Sequence, residues 1–199
     1  MEEAKLDIMP ETKDLLARRL DEAQSVYATL GVDFQESVEE AADWAVEALR
    51  GGGAVYIVGN GGSAADAQHW TAELVGRYLL DRDPLNVHAL TTNSSTLTAL
   101  MNDYPADEVF ERQVRAHLRE GDLLLAISTS GNSENILNAV AAAKKRGART
   151  FGVGGKDGGK LKGACDSIMI APSHDTPRIQ EVHLLFGHLW CELVEAAFA

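Results

Sequence analysis

Short apolar runs alternate with longer amphipathic segments along most of this chain. Runs rich in Val, Ile and Leu are typical of strands that are buried on both faces of a sheet. Strands that alternate with helices form parallel sheets covered on both sides. The pattern therefore predicts an α/β fold with a five-stranded parallel sheet flanked by helices on both faces. The predicted strands are residues 54–58, 84–90, 122–127, 150–153 and 167–170.

Two amphipathic helices are predicted ahead of the first strand. Residues 12–30 and 34–49 carry apolar side chains at helical spacing, and Thr12 is the expected N-cap of the first helix. These helices can cover a sheet face or pack against another subunit. We therefore divide the chain into an N-terminal helical segment, residues 1–52, and a domain formed by residues 53–199.

The later helices are predicted between and after the strands. They cover residues 96–101, 107–118, 134–146 and 178–199. The first of them is short because the polar pair Asn102 and Asp103, followed by Tyr104 and Pro105, is predicted to end it.

One segment combines a buried strand, a glycine-rich turn and the start of a helix. The strand at residues 54–58 is followed by residues 59–63, Gly-Asn-Gly-Gly-Ser, and then by a helical stretch. Glycine allows the backbone to adopt a positive φ and to approach a ligand closely. The unpaired N–H groups at a helix N-terminus attract anions. The segment therefore predicts an anion site, of the kind that binds phosphate.

A second loop of similar composition follows the third predicted strand. Residues 128–133 read Ser-Thr-Ser-Gly-Asn-Ser and lead into a helix. Hydroxyl and backbone N–H groups can bind a phosphate without a cationic side chain. Neither loop contains Lys or Arg, and the motifs for nucleoside triphosphates and dinucleotides are absent. The alternative interpretation is a loop whose serines only cap the following helix.

Four polar side chains on two helices are candidates for chemistry. His69 and Glu73 are four residues apart and share a helix face, as a simple surface pair or as a proton-transfer or metal-binding pair. Gln180 and His188 are separated by roughly 12 Å along a helix that rises about 1.5 Å per residue. Zinc–ligand bonds are only about 2.0–2.2 Å long. We therefore expect a bend or a second copy of the chain if both line one metal site.

Composition indicates which cellular compartment and which binding partners to expect. The net charge of −12 disfavours binding to nucleic acid. The two cysteines have neither zinc-ribbon nor redox spacing, which suits a reducing compartment. No signal peptide and no long apolar run is present. We expect a cytoplasmic protein without a membrane or nucleic-acid partner.

Together these segments resemble the SIS (sugar isomerase) domain family and, within it, the phosphoheptose isomerases. The similarity extends from about residue 50 to the end of the chain. The matching segments, in the order of the family, are residues 59–63, 66–69, 73–78, 102–103, 127–133, 155–159 and 178–183, followed by His188.

The resemblance implies an aldose–ketose isomerase of lipopolysaccharide core heptose biosynthesis. It would convert sedoheptulose 7-phosphate to D-glycero-D-manno-heptose 7-phosphate through an enediol, in a homotetramer with active sites at subunit interfaces. Glu73 and His188 would be the catalytic acid/base pair. One Zn²⁺ per subunit would be held by His69, Glu73, Gln180 and His188. The implied substrate-binding residues are Asn60, Gly61, Gly62, Ser63, His69, Glu73, Asn102, Asp103, Ser128, Thr129, Ser130, Ser133 and Gln180.

An alternative belongs to a different functional class. Ala64 and Ala65 also resemble the initiator-associating proteins, which are non-catalytic SIS tetramers that bind DnaA. The joint presence of the four polar side chains on the two helices favours the enzyme. A sugar-phosphate sensor domain of a regulator is a weaker third alternative.

Overall fold

A computed structural model describes residues 10–199 of the protein, so residues 1–9 of the predicted N-terminal segment lie outside the described part. The strands are β1 Val55–Val58, β2 Val87–Ala89, β3 Leu123–Ser128, β4 Arg149–Gly155 and β5 Ser167–Ala171. The α-helices are α1 Pro10–Ala28, α2 Val32–Arg50, α3 Gly62–Val75, α4 Ser94–Asp103, α5 Val109–His117, α6 Glu134–Lys145, α7 Leu161–Ala164 and α8 Thr176–Ala196. A 3₁₀ turn, Ala106–Glu108, precedes α5.

The five strands form one parallel sheet in the order β2-β1-β3-β4-β5. The chain moves outward in one direction from β1 to β2 and in the other from β3 to β5. Ligands of open α/β sheets bind at the carboxyl ends of the strands where this direction changes. Here that point lies between β1 and β3, where Val58 is paired with Ala126. Both predicted anion loops therefore begin at the same place.

Helices cover both faces of the sheet, as the sequence predicts. Side chains alternate along β3, so Leu123 and Leu125 join one core and Leu124 and Ala126 join the other. The first core includes buried residues of α2, α3 and α8, and the second includes residues of α5 and α6. The predicted α/β fold with a five-stranded parallel sheet and N-terminal helices is confirmed.

The predicted limits of α1 and α4 are wrong. Helix α1 begins at Pro10, so Thr12 lies inside the helix and is not its N-cap. Proline suits the first helical position because its fixed φ is helical and its missing N–H would be unpaired there. Helix α4 begins after Asn93, whose side chain accepts a hydrogen bond from Thr96 N at 2.9 Å. Residues 102–103 form the last turn of α4 and do not interrupt it.

Helices α3 and α8 lie side by side and run in the same direction. Gln180 of α8 contacts Gly62 at the start of α3, and Gly187 contacts Trp70 farther along. A Cβ atom at Gly187 would lie 2.0 Å from the Trp70 ring, so the absent side chain allows the close approach. This packing brings polar residues of α3 and α8 next to each other.

The described residues also bear on the predicted environment. Between residues 10 and 199, no helix has both the length and the hydropathy that a bilayer span requires. Cys165 and Cys191 are buried free thiols. Burial raises the pKa of Cys165 to about 12, so this thiol is protonated at neutral pH.

Candidate active site

The turn between β1 and α3 depends on its glycines, by conformation at Gly61 and by close approach at Gly59 and Gly62. Gly61 has a φ of +56°, a conformation that L side chains rarely adopt. A Cβ atom at Gly59 would lie 2.5 Å from the Ser63 carbonyl oxygen, and one at Gly62 would lie 2.3 Å from Gln180 Nε2. The turn thus brings bare backbone and the N-terminus of α3 to the switch point, which is the geometry of an anion site.

The second loop brings hydroxyl groups to the start of α6. Ser128 Oγ accepts a hydrogen bond from Gly131 N at 3.1 Å and lies 3.4 Å from Ser133 Oγ. Ser133 is the N-cap residue of α6, but its side chain makes no capping hydrogen bond. Its hydroxyl is therefore not committed to the helix. Thr129 and Ser130 are half-buried beside it.

The segment that follows β4 supports the second loop. Gly131 has a φ of +64°, and a Cβ atom there would lie 2.0 Å from the Gly158 carbonyl oxygen. Leu161 N–H donates to Gly131 O at 2.9 Å, and Lys160 N–H donates to Asn132 Oδ1 at 3.1 Å. The shape of the second loop thus depends on residues about 30 positions later in the chain.

A reciprocal pair of amide hydrogen bonds joins the first loop to the first turn of α6. Asn60 Nδ2 donates to Asn135 Oδ1, and Asn135 Nδ2 donates to Asn60 Oδ1, each at 2.9 Å. The pair fixes the distance between the two helix N-termini. Sequence analysis missed Asn135, because nothing local to it identifies a partner 75 residues away.

A cluster of polar and aromatic side chains lies two to three turns along α3. His69 Nε2 is 3.0 Å from Glu73 Oε1. The His69 and His188 rings meet edge to face, with centroids 5.1 Å apart, and the Tyr78 ring stacks on His188 with centroids 5.8 Å apart. Two imidazoles and a carboxylate, all partly exposed, are thus close enough to act on one substrate.

The first turns of α3 add a second carboxyl group. Burial raises the pKa of Asp66 to about 6, while the nearby His69 opposes the rise. Asp66 therefore exchanges a proton close to neutral pH, next to the cluster around Glu73.

The remaining predicted residues lie apart within a single chain. Gln180 lies against Gly62 at the start of α3, whereas His188 is beside His69, farther along the same helix. Asn102 Nδ2 donates to Asp103 Oδ1 at 2.8 Å on the exposed end of α4. Among residues 10–199, neither of these two side chains forms a hydrogen bond with the anion loops.

Comparisons with known proteins agree with this arrangement. A family model described as the SIS domain matches residues 20–155. The phosphoheptose isomerase of Rhodospirillum rubrum is 53% identical over 175 residues, which are 88% of this chain and 93% of that protein. The chain belongs to the phosphoheptose isomerases of the SIS domain family.

Solved structures of phosphoheptose isomerases share the whole fold. The structure from Neisseria gonorrhoeae has a TM-score of 0.84 and 39% identity, and the match covers 93% of this chain and 99% of that one. The structure from Francisella tularensis has a TM-score of 0.87 and 32% identity, with coverage of 93% and 98%. These relatives favour the isomerase over the DnaA-binding alternative.

The donor types near Glu73 suit the zinc ion that the family resemblance implies. Imidazole nitrogen and carboxylate oxygen are ordinary ligands of Zn²⁺. Within one copy of the described chain, however, no three His, Cys, Asp or Glu side chains are gathered as a metal site. The types of donor therefore fit zinc, although their arrangement in one chain does not by itself form a closed site.

Proposed function

We propose that this protein is a sedoheptulose 7-phosphate isomerase that forms D-glycero-D-manno-heptose 7-phosphate. One observation carries the proposal. Two anion loops lie at adjacent strand ends, and α3, which begins at the first of them, carries His69 and Glu73 beside His188 of α8. An aldose–ketose isomerase requires a phosphate site and an acid/base pair within the length of one sugar.

The loops are proposed to bind the sugar phosphate by backbone and hydroxyl groups. The N-termini of α3 and α6 supply N–H groups and favourable dipoles. Ser128 and Ser133 supply hydroxyls that converge at the second loop.

Glu73 is proposed as the base and His188 as the acid. His69 hydrogen-bonds one carboxylate oxygen of Glu73, and within residues 10–199 the other oxygen forms no hydrogen bond. That oxygen takes the proton from C1 of the ketose, and the C–H electron pair forms the C1–C2 double bond while the C2 oxygen gains a proton from His188. Return of a proton to C2 and loss of the O1 proton then give the aldehyde.

Zinc binding by His69, Glu73, Gln180 and His188 is part of the proposal. The imidazoles of His69 and His188 and the carboxylate of Glu73 are ordinary zinc ligands, which supports it. A bound Zn²⁺ would polarise the substrate carbonyl oxygen and ease proton removal from the adjacent carbon. Metal analysis of the wild-type protein and of His69→Ala tests this assignment. Equal zinc content in the two proteins would contradict it.

We further propose that the protein is a homotetramer with active sites at subunit interfaces. We place it in the cytoplasm, where it would act in lipopolysaccharide core heptose biosynthesis. Exposed leucines on α1 and α8 support association, because such side chains are commonly covered by a partner. The two buried free thiols are compatible with a reducing compartment. The exposed leucines are Leu15, Leu16 and Leu20 on α1, and Leu184, Leu189 and Leu193 on α8.

The decisive experiment follows conversion of sedoheptulose 7-phosphate by purified protein. Glu73→Gln and His188→Gln should each lower turnover by at least about 100-fold, the lower end of what general acid–base catalysis contributes. Both variants should keep the wild-type circular dichroism spectrum. Matched controls are His88→Gln, an exposed histidine bonded to Asn86, and Glu111→Gln on α5. Near-normal turnover in either site variant would refute the assignment of that residue.

A further inference from the structure

A buried ion pair joins the segment after α3 to the last turns of α8. The side chains of Arg82 and Glu195 are 2% and 1% exposed, and Arg82 Nη2 is 3.4 Å from Glu195 Oε1. Two charges are removed from water only at a large cost, which hydrogen bonds must offset. The hydrogen-bond partners of Arg82 and Glu195 therefore indicate which parts of the chain this ion pair holds in place.

The Glu195 carboxylate binds three consecutive backbone N–H groups. Oε1 accepts from Tyr78 N at 2.8 Å, and Oε2 accepts from Leu79 N at 2.6 Å and from Leu80 N at 2.9 Å. Burial alone would raise the pKa of Glu195, but these N–H groups and Arg82 outweigh it and hold the pKa below its usual value. The carboxylate is therefore charged at neutral pH.

The side chains of Leu79 and Leu80 do not anchor this part of the chain. Leu79 and Leu80 are 60% and 43% exposed. Their backbone N–H groups are nevertheless oriented toward one buried carboxylate. The hydrogen bonds to Glu195 thus hold the backbone of residues 78–80.

Arg82 attaches the same segment to the end of α3. Its guanidinium donates to the carbonyl oxygens of Glu73 at 3.0 Å, Gly76 at 3.2 Å and Asp83 at 3.0 Å. A cation at the last carbonyls of a helix is favourable because those oxygens have no helical partner. Arg82 therefore fixes the turn of α3 that carries the Glu73 side chain.

Both ends of this network reach the acid/base pair. Tyr78, held through its N–H by Glu195, stacks on the His188 ring. His188 and Glu195 are both on α8, two turns apart, so they lie on one face of the helix. The network thus connects the Glu73 backbone, the Tyr78 ring and the His188 helix.

We propose that Glu195 and Arg82 are positioning residues for isomerisation, which hold Tyr78 against His188 and fix the turn that carries Glu73. This inference rests on the proposed function. The two residues touch no phosphate loop, so their loss alters the alignment of the acid and base more than it alters substrate binding. A displacement of about 1 Å at reacting groups can cost about 100-fold in rate.

Glu195→Gln tests the inference with little change in side-chain volume. We expect kcat to fall by about 10- to 100-fold while KM changes by less than about threefold, because only the alignment of the acid and base is lost. Hydrogen exchange should rise at the amides of Tyr78, Leu79 and Leu80. Arg82→Lys should also lower kcat, because lysine lacks the planar guanidinium that bonds the three carbonyl oxygens.

Asp122→Asn is the matched control. Asp122 is also a buried carboxylate that binds backbone N–H groups, but these belong to Ala54 and Arg119 and not to α3, α8 or the segment between α3 and β2. Urea unfolding of each variant shows whether the two substitutions cost similar stability. We expect Asp122→Asn to retain wild-type kcat.

The outcomes separate the two proposals. Absence of turnover in the wild-type protein would overturn the proposed function. Wild-type turnover with kcat in Glu195→Gln within threefold of wild type would overturn only the positioning role. An equal fall in kcat for Glu195→Gln and Asp122→Asn would also overturn it, because stability alone would then explain the effect.

Discussion

Acid should destabilise this protein through one buried histidine on α8. His183 is fully buried, and its Nε2–H donates to the Gly154 carbonyl oxygen at 2.8 Å. Its Nδ1 atom is buried and has no hydrogen-bond partner among the described residues. A proton on Nδ1 would therefore place a charge in the core with nothing to receive the new N–H.

The size of the effect follows from the pKa of His183. Burial lowers this pKa from 6.5 to about 4, against the opposing effect of the Gly154 carbonyl. As pH falls, the unfolded chain takes up the proton first, so folding stability decreases between pH 6.5 and about pH 4. The difference of about 2.5 pKa units corresponds to about 3 kcal/mol at 1.36 kcal/mol per unit. Above pH 6.5 this contribution is constant.

Urea unfolding at a fixed protein concentration measures this loss. The free energy of unfolding is determined at intervals from pH 7.5 to pH 4 for the wild-type protein and for His183→Gln, which has no titrating group at this position. Carboxylates elsewhere affect both proteins alike, so the difference between the two curves isolates His183. The wild type should lose about 3 kcal/mol more than the variant over this range. Parallel curves would refute the reasoning.

Two further predictions concern the scaffold of the site. Gly187→Ala should destabilise the protein by about 1–3 kcal/mol in urea unfolding, because the new methyl group overlaps the Trp70 ring, whereas Gly163→Ala meets nothing within 4 Å and should be nearly neutral. A neutral Gly187→Ala would show that the two helices separate easily. Asn135→Leu removes both amide bonds to Asn60 and should raise KM for the sugar phosphate several-fold in steady-state assays, and an unchanged KM would contradict a role for this pair in spacing the loops.

Local sequence signals predicted most of the architecture. Buried strands and glycine-rich turns are encoded by neighbouring residues, so β1, the turn at residues 59–63 and the start of α3 were found directly. The order of the strands was not predicted from the residues, because five similar apolar runs do not specify which of them pair. The N-terminus of α1 was misplaced because Pro10 and Thr12 are both valid start signals and only the fold selects between them.

The parts of the site that were missed depend on contacts across the chain. His69 and Glu73 were found because their spacing on one helix is visible in the sequence. Asn135 was missed because its partner is in another loop. Glu195 belongs to an apolar helix end, and its partners include the backbone of a segment more than 100 residues earlier. Backbone N–H groups leave no mark on composition, so such a carboxylate cannot be distinguished from a surface acid.

The contact of Gly187 with Trp70 limits how this enzyme scaffold can change during evolution. The gap between α3 and α8 is determined by a missing methyl group and a rigid indole, not by polar contacts that adjust to one another. Widening the cleft by sliding one helix would require a coordinated replacement in the core. Adaptation to longer or shorter sugars is therefore expected to arise in the exposed turns around the cleft, while the helix pair stays fixed.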